Sequence, residues 1–445
     1  MKINKNFLIW FVSVISILIV MPFFIPMRSY LDEAQRVAGL KIGVPVTIDS
    51  GRLLLLPTPR VIVRNISIGR QQEVKLAEVS IIPVLNSLFS ATKVIELEVA
   101  KPVIKKAALD ILSSYTSKQS EKTGEVAALS VKRVLIDEMQ FDWPGMKLPL
   151  MHLDVYMNDV NVLQSASLET ADGVFKADIK PEREGYSIKL NAQKWTLPVG
   201  MPLLVSQAAL DMHLKGSRLD IPSIDIALYD GHLNGNALLT WEKDWRVTGK
   251  LAVKNLAVRE PSSMVSKTVY LSGKLSGNAV FSSTAREPSA LADNLSADFR
   301  FDVNNGVLHG LDLVKIASLL TRQGTNGGET QFDEFSGLLN VKGKQYVLHE
   351  IKISSGLLAA NGQVKVKPNK TLDGVVEVAL KKGVSLATIP LQVSGTVDKP
   401  MVFPTKAALA GAVAGTALLG PGVGTSLGIK AGGAVDKLKG LFQSK

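Results

Sequence analysis

Apolar and polar residues alternate with a period of two, again and again, along most of this 445-residue chain. Ile95, Leu97 and Val99 alternate with Glu96 and Glu98. Phe175, Ala177 and Ile179 alternate with Lys176 and Asp178, and Tyr186, Ile188 and Leu190 with Ser187 and Lys189. Trp245, Val247, Leu251 and Val253 share one parity, while Arg246, Thr248, Lys250 and Lys254 take the other. Ala297, Phe299, Phe301 and Val303 alternate with Asp298, Arg300 and Asp302, and Val364 and Val366 with Lys365 and Lys367. Successive side chains of a strand point to opposite faces, so each run makes a strand with one apolar and one polar face. The pairs Asp172-Gly173, Asp230-Gly231, Asn305-Gly306 and Asn361-Gly362 are of the kind hairpin turns need, because φ is positive there. The heptapeptide Gly231-His-Leu-Asn-Gly-Asn-Ala237 returns as Gly273-Lys-Leu-Ser-Gly-Asn-Ala279. A meander of similar antiparallel hairpins is the simplest fold.

Such a sheet cannot leave its apolar face in water, where aliphatic area costs about 25 cal/mol per Å². It packs on a second sheet, closes into a barrel, or curls into a groove filled by an apolar ligand. Composition bears on the choice: 46% of residues are hydrophobic but only 6% aromatic, so the apolar mass is aliphatic. A groove lined by Val, Ile and Leu offers no specific polar contacts and suits acyl chains. The groove candidates are Ile95, Leu97, Val99, Ile188, Leu190, Val247, Leu251, Val253, Phe299, Phe301, Val303, Val364 and Val366. Helices are few. Pro83 to Ser90 reads as one short helix. Asp312 to Leu320 reads as a better one, with Leu313, Ile316, Ala317 and Leu320 on one face. Ser113 to Glu125 and Thr321 to Thr330 read as surface loops.

The two ends differ from this body. Phe7 to Met27, FLIWFVSVISILIVMPFFIPM, carries no charge and is long enough to cross a bilayer core of ~30 Å as a helix. It closes on Pro22, Pro26 and Arg28 rather than on a small-x-small cleavage site, which favours an uncleaved signal anchor over a cleaved signal peptide. Lys2 and Lys5 precede it without an acid, so the positive-inside rule places the N-terminus in the cytoplasm and the bulk of the chain outside it. On that side the formal net charge of +11 suits a solvated face or anionic head groups rather than nucleic acid. Ala407 to Ile429 is a second uncharged run, rich in small residues at G-x-x-x-G spacing, as in Gly411 with Gly415 and Gly424 with Gly428 and Gly432. Such spacing lets helices approach closely. Gly420-Pro421-Gly422 breaks the run into two short helices, an interfacial or hairpin element that touches a membrane or plugs the sheet, the alternatives being a second membrane span or a packed helical hairpin.

A search for chemistry returns little. With no cysteine, disulfides, thiolate catalysis and cysteine-held metals are impossible. The five histidines, His152, His213, His232, His309 and His349, have no metal-ligand spacing and read as solvated strand residues. Neither a G-x-S-x-G elbow nor a phosphate-binding loop occurs. The expectation is a non-enzyme without cofactor or metal.

The order of the parts resembles the AsmA-like family of Gram-negative envelope proteins. One likeness runs from Asp49-Ser-Gly51-Arg and Pro57-Thr-Pro59 through RVIVRNISIG to the strand ending Pro102-Val103-Ile104. The second covers Leu295 to Leu380, with Asn305-Gly306 and Gly310-Leu311-Asp312-Leu313 in its opening. Between about Leu109 and Ala290 the likeness is one of style. The resemblance implies an inner-membrane-anchored periplasmic protein, mainly β, with an elongated, curled antiparallel sheet forming a hydrophobic groove related to bridge-like lipid transfer proteins. Roughly 20 strands at ~4.8 Å would make a groove of about 100 Å. It divides the chain into an anchor at 1–28, a β-groove region at 29–292, an AsmA-like module at 293–400 and a tail at 401–445. It implies binding or conduction of phospholipid in support of outer-membrane lipid homeostasis. The partners would be phospholipid acyl chains, the inner membrane through residues 7–27, a membrane touched by the tail, and envelope proteins. The alternative is a non-enzymatic structural or assembly factor for outer-membrane proteins or envelope complexes.

Overall fold

A computed structural model describes residues 27–87, 89–108, 111, 129–143, 148–196, 202–319, 327–381, 388–419, 425–426 and 428–433. The described chain is mainly β, with 22 strands and a few short helices. It divides between Pro202 and Leu203 into two compact units. Of the predicted anchor, Phe7 to Met27, only Met27 is among the described residues, as the first residue of a helix, and no described helix is long and apolar enough to cross a membrane.

The first unit opens with helix α1 (Met27–Ile42). Ten strands follow: β1 (Val46–Leu54), β2 (Arg60–Ile68), β3 (Val74–Pro83), β4 (Lys93–Ala100), β5 (Val103–Lys105), β6 (Leu129–Asp142), β7 (Met151–Met157), β8 (Leu163–Thr170), β9 (Phe175–Pro181) and β10 (Tyr186–Thr196). Pairing follows chain order and is antiparallel, with one departure from the all-antiparallel expectation. β4 and β5 both pair with β3 on one side and, in parallel, with β6 on the other. They form one interrupted strand: Lys101 has φ of 50°, and Pro102, which lacks an N–H, breaks the ladder between them. A parallel neighbour needs a long crossover, and residues 106–128 supply it. The loop expected at Ser113 to Glu125 falls in that crossover, outside the described residues. The helix expected at Pro83 to Ser90 shrinks to a 3-10 turn at Leu85–Ser87. There the Ser87 hydroxyl donates to the Val84 carbonyl at 2.7 Å and accepts from the Val94 N–H at 2.9 Å, which ties the β3–β4 connection shut.

The second unit is an antiparallel meander of twelve strands: β11 (Leu204–Lys215), β12 (Arg218–Leu228), β13 (Gly231–Thr240), β14 (Trp245–Ala257), β15 (Tyr270–Ala285), β16 (Ser296–His309), β17 (Glu329–Lys342), β18 (Gln345–Ser354), β19 (Leu358–Val366), β20 (Leu372–Leu380), β21 (Thr388–Gly395) and β22 (Pro400–Pro404). Three helices join it, α2 (Arg259–Val265), α3 (Leu313–Leu319) and α4 (Lys406–Leu419). The sequence expectation of a helix near Asp312 agrees with α3, and the break expected at Gly420-Pro421-Gly422 lies outside the described residues.

This meander curls. The Thr268 hydroxyl, just before β15, donates to the carbonyl of Asp398 in the β21–β22 turn. On a flat sheet those positions would stand ~29 Å apart, six strand spacings. The short helix α3 also lies against β17, β20 and β22 together. Curling seals one end of the apolar face. Val303 (1% exposed), Leu358, Val378 and Leu391 (each 0%) pack there with Ile316 and Ala317 of α3, and with Ala412 of α4 and Ile429.

Two of the four expected Asx-Gly corners are not corners. Asp172-Gly173 is a turn, and at Asp230-Gly231 the turn residues are Tyr229 and Asp230, both with positive φ. Asn305-Gly306 and Asn361-Gly362 instead lie inside β16 and β19. Gly306 serves close approach rather than a turn: a Cβ there would stand 2.4 Å from Cζ of Phe332. The loop expected to run to Thr330 ends earlier. Thr330 is 2% exposed, and its hydroxyl accepts from the Leu313 N–H (2.9 Å) and donates to the Leu311 carbonyl (2.8 Å).

Candidate functional site

The pairing register aligns the apolar residues of the first unit into two unbroken rows. One is Leu53, Val61, Ile81, Leu97, Val134, Val155, Ala166, Ile179 and Ile188. The row beside it is Gly51, Val63, Val79, Val99, Ile136, Leu153, Leu168, Ala177 and Leu190. Apart from Gly51, every member is aliphatic. Of the eighteen only Val63, Ala166 and Ala177 are buried; the others are half-buried. No second sheet covers this face among the described residues, and only its β1 edge is covered, by Leu31 of α1 over Gly51, so the rows make a nine-strand-wide, half-exposed surface with no polar side chain of their own. Of the sequence candidates, Leu97 and Ile188 share the first row, and Val99 and Leu190 the second. Ile95 stands two residues further along β4, opposite Pro83 and Val131.

In the second unit the same face has an open and a sealed part. Ile224, Gly235, Leu251, Ala279, Phe299, Leu339, Leu348 and Val364 form a row across β12 to β19, all half-buried. Val247 lies beyond it toward the open end, opposite Leu239, and Val366 lies opposite Tyr346 and Leu372. Val253, half-buried, borders the core. Phe301 (9%) and Val303 (1%) are inside the core, where their alternation serves packing rather than an open surface. The repeated heptapeptide shapes this face: Gly235 and Gly277 both face β14 from its two sides. A Cβ on Gly277 would stand 2.8 Å from the ring of Phe299, and one on Gly249 2.5 Å from that of Phe281. The rings therefore lie down over glycines and keep the floor low.

The apolar tail run also has a place. A Cβ on Gly411 would stand 2.1 Å from the Gly428 carbonyl oxygen, and one on Gly432 2.2 Å from that of Ala407. The small-residue spacing thus joins two helical stretches, and Ala408 (0%), Ala412 and Ile429 pack inward while Val413 stays 72% exposed.

The opposite face of the first unit is laced with cross-strand charge pairs. Arg64 bonds Glu78 at 2.8 Å, Lys101 reaches Glu138 at 3.3 Å, and Asp137 contacts His152. Arg133 holds Asp154 through two bonds of 2.8 Å and lies 5.2 Å over the Tyr156 ring. The bond from Arg133 lowers the Asp154 pKa below the usual carboxylate value, against a raising effect of burial. A depressed carboxylate adds stability above its unfolded pKa and loses it as pH falls through the folded one. Asp154→Asn should therefore cost at most about 1 kcal/mol at neutral pH. That gap should close below the usual carboxylate range, as thermal midpoints measured between neutral and acid pH would show.

Two polar features of the second unit were not legible in the sequence. A cleft of about 600 Å³ lies on the polar face of β12 to β16, lined by Arg218, Asp220, Asn236, Lys250 and Asp298. It faces away from Leu251 and Phe299. On the polar face of β15 to β17, His309 Nε2 is 3.0 Å from the Ser272 hydroxyl and Nδ1 is 2.7 Å from Glu329. The order is that of a nucleophile, base and orienting carboxylate. None of the three lines the cleft or the apolar rows. His349 bonds Asn340, and no cluster of metal-ligating side chains forms among the described residues.

The fold and this face define a β-sheet protein whose distinguishing surface is a broad aliphatic sheet face. The model of the AsmA family matches residues 163–343, and over that stretch the chain is similar to the AsmA family. That stretch runs from β8 to the β17–β18 turn, so it takes in the middle where the likeness read from sequence was only stylistic. It overlaps the second motif region and leaves the Asp49–Ile104 region outside. No curated protein and no solved structure matches the chain. Family and sheet together fit a lipid-transport or envelope-related role.

Proposed function

We propose that the chain binds or conducts phospholipid acyl chains along its apolar face, as a periplasmic protein held to the inner membrane by residues 7–27. In this reading it is not an enzyme and takes no cofactor. The observation that carries the reading is the pair of nine-strand aliphatic rows of the first unit, left half-exposed. Each Å² of such surface left in water costs about 25 cal/mol, and an acyl chain removes that cost without needing a polar partner. The charge-paired opposite face keeps the loaded sheet in water.

The test uses adjacent residues on opposite faces of β10. A photo-crosslinking amino acid replaces Ile188, or in a second variant the exposed Lys189, in the full-length chain in cells. Mass analysis should find phospholipid adducts at position 188 and none at 189. Equal labelling at both positions, or none at 188, overturns the reading. Protein adducts at 188 in place of lipid would instead favour the assembly-factor role, for which the sealed core of the second unit is a suitable rigid element.

A further inference from the structure

The two ends of the first unit's strands differ. Its β2–β3 and β8–β9 turns are polar, with Arg70, Gln71, Gln72 and Asp172 at their tips, and the large apolar side chains exposed at that end among the described residues are Leu40 (72%) near the end of α1 and Leu150 (40%) before β7. At the other end the successive connections as far as β8 expose large apolar side chains. The β1–β2 loop shows Leu56 (43% exposed), the β3–β4 connection Leu85 (52%) and Phe89 (98%), and the β7–β8 turn Val160 (63%) and Val162 (53%). Leu129 (49%), where the crossover enters β6, stands among them, paired with Lys93 at the start of β4. These tips follow one line about six strand spacings long, or ~29 Å. The charged β9–β10 turn, Glu182-Arg183-Glu184, ends the line.

Helix α1 shows where the uncharged run leaves the unit. A Cβ on Gly51 would meet the Leu31 side chain at 2.8 Å, and the Gln35 side-chain carbonyl accepts from the Ile48 N–H at 2.9 Å. The helix therefore runs antiparallel to β1. Met27 lies four residues before Leu31, about 6 Å along the helix. Leu54, the end of β1, lies three residues beyond Gly51, about 10 Å along the strand. Met27, where the uncharged run joins the helix, thus stands within about 4 Å of the level of Leu54, on the side of the apolar rim. Arg28 and Tyr30, the latter 66% exposed, flank its exit as a cation and an aromatic residue do at a membrane interface. Lys93 and Arg60 stand at the same level, with Asp159 the acid of the β7–β8 turn.

We propose that this rim seats on the bilayer that holds residues 7–27, and that acyl chains pass over it between that bilayer and the aliphatic rows. The occupant is a lipid surface rather than a protein, because the apolar groups are single tips on separate loops with basic residues between them, and because the anchor leaves from the same side. The proposal deepens the proposed function and rests on it both for the anchor in the bilayer and for the passage step.

The chain has no cysteine, so single labels are clean. Phe89→Cys, Val160→Cys and, on the opposite end, Gln72→Cys each carry an environment-sensitive fluorophore. The full-length chain is reconstituted in phosphatidylethanolamine–phosphatidylglycerol vesicles containing spin-labelled lipid. Labels at 89 and 160 should be blue-shifted and quenched by the lipid, and the label at 72 should match water. A water-like label at 89 and 160 overturns the proposal. The double variant Phe89→Asp with Val160→Asp should lower the lipid adduct at Ile188 several-fold. An unchanged adduct without quenching leaves lipid binding standing and removes the rim. Quenching without any adduct leaves the rim as a docking surface and removes the lipid reading.

Discussion

Replacing Leu97 and Val155 by aspartate should strip lipid from the first unit without unfolding it. The two residues share one row, with Val134 between them, and both are half-buried. On the unloaded face the new carboxylates reach water and stay solvated. With an acyl chain against them they lose that water and gain no partner, a cost of several kcal/mol for a charge. Each 1.4 kcal/mol is about tenfold in binding. The lipid adduct at Ile188 should therefore fall by more than about tenfold. The thermal midpoint should move only by about a few degrees, as for substitutions outside a sealed core. An undiminished adduct sinks the idea that these rows hold lipid, and a collapse of folding would mean that the rows are a core.

How far the sequence reaches is visible in the same residues. Alternation assigned Leu97, Val99, Ile188 and Leu190 to apolar strand faces, because the side-chain period of a strand is a local property. It did not show that Leu97 and Ile188 share a row, because register depends on bulges and connections between them. The irregularity between Ile95 and Glu96 against β6 is one of these, and the parallel β4–β6 pair is another. That pair hangs on a polar crossover that reads as an ordinary loop. Phe301 and Val303 carry the same alternation as Phe299, and only the packing of α3 across the curled sheet separates sealed from open. Nothing periodic marks Phe89 or Val160, so the rim became visible only when the register brought their loops to one end. Ser272, His309 and Glu329 come from three strands and carry no motif spacing.

The division between sealed and open parts of the second unit predicts unequal costs for one chemical change. Leu391 is 0% exposed, paired with Val376 on one side and Pro404 on the other, and lies within the core that α3, α4 and Ile429 close. Leu391→Ala removes that side chain from a close-packed site and leaves a cavity, at a cost of about 2–5 kcal/mol. Leu251 is the same residue type on the same face, but half-buried in the open row. Leu251→Ala loses less area from water exclusion and leaves a groove that solvent fills, at a cost of about 1 kcal/mol. Urea unfolding of the full-length variants measures both. The stacked Trp241 and Trp245, whose ring centroids lie 5.2 Å apart, give the second unit its own spectroscopic signal. A gap of at least about 1 kcal/mol, with Leu391→Ala the more damaging, is expected. Equal costs would mean that the open row is covered as completely as the core, leaving an acyl chain no floor in this unit to lie on.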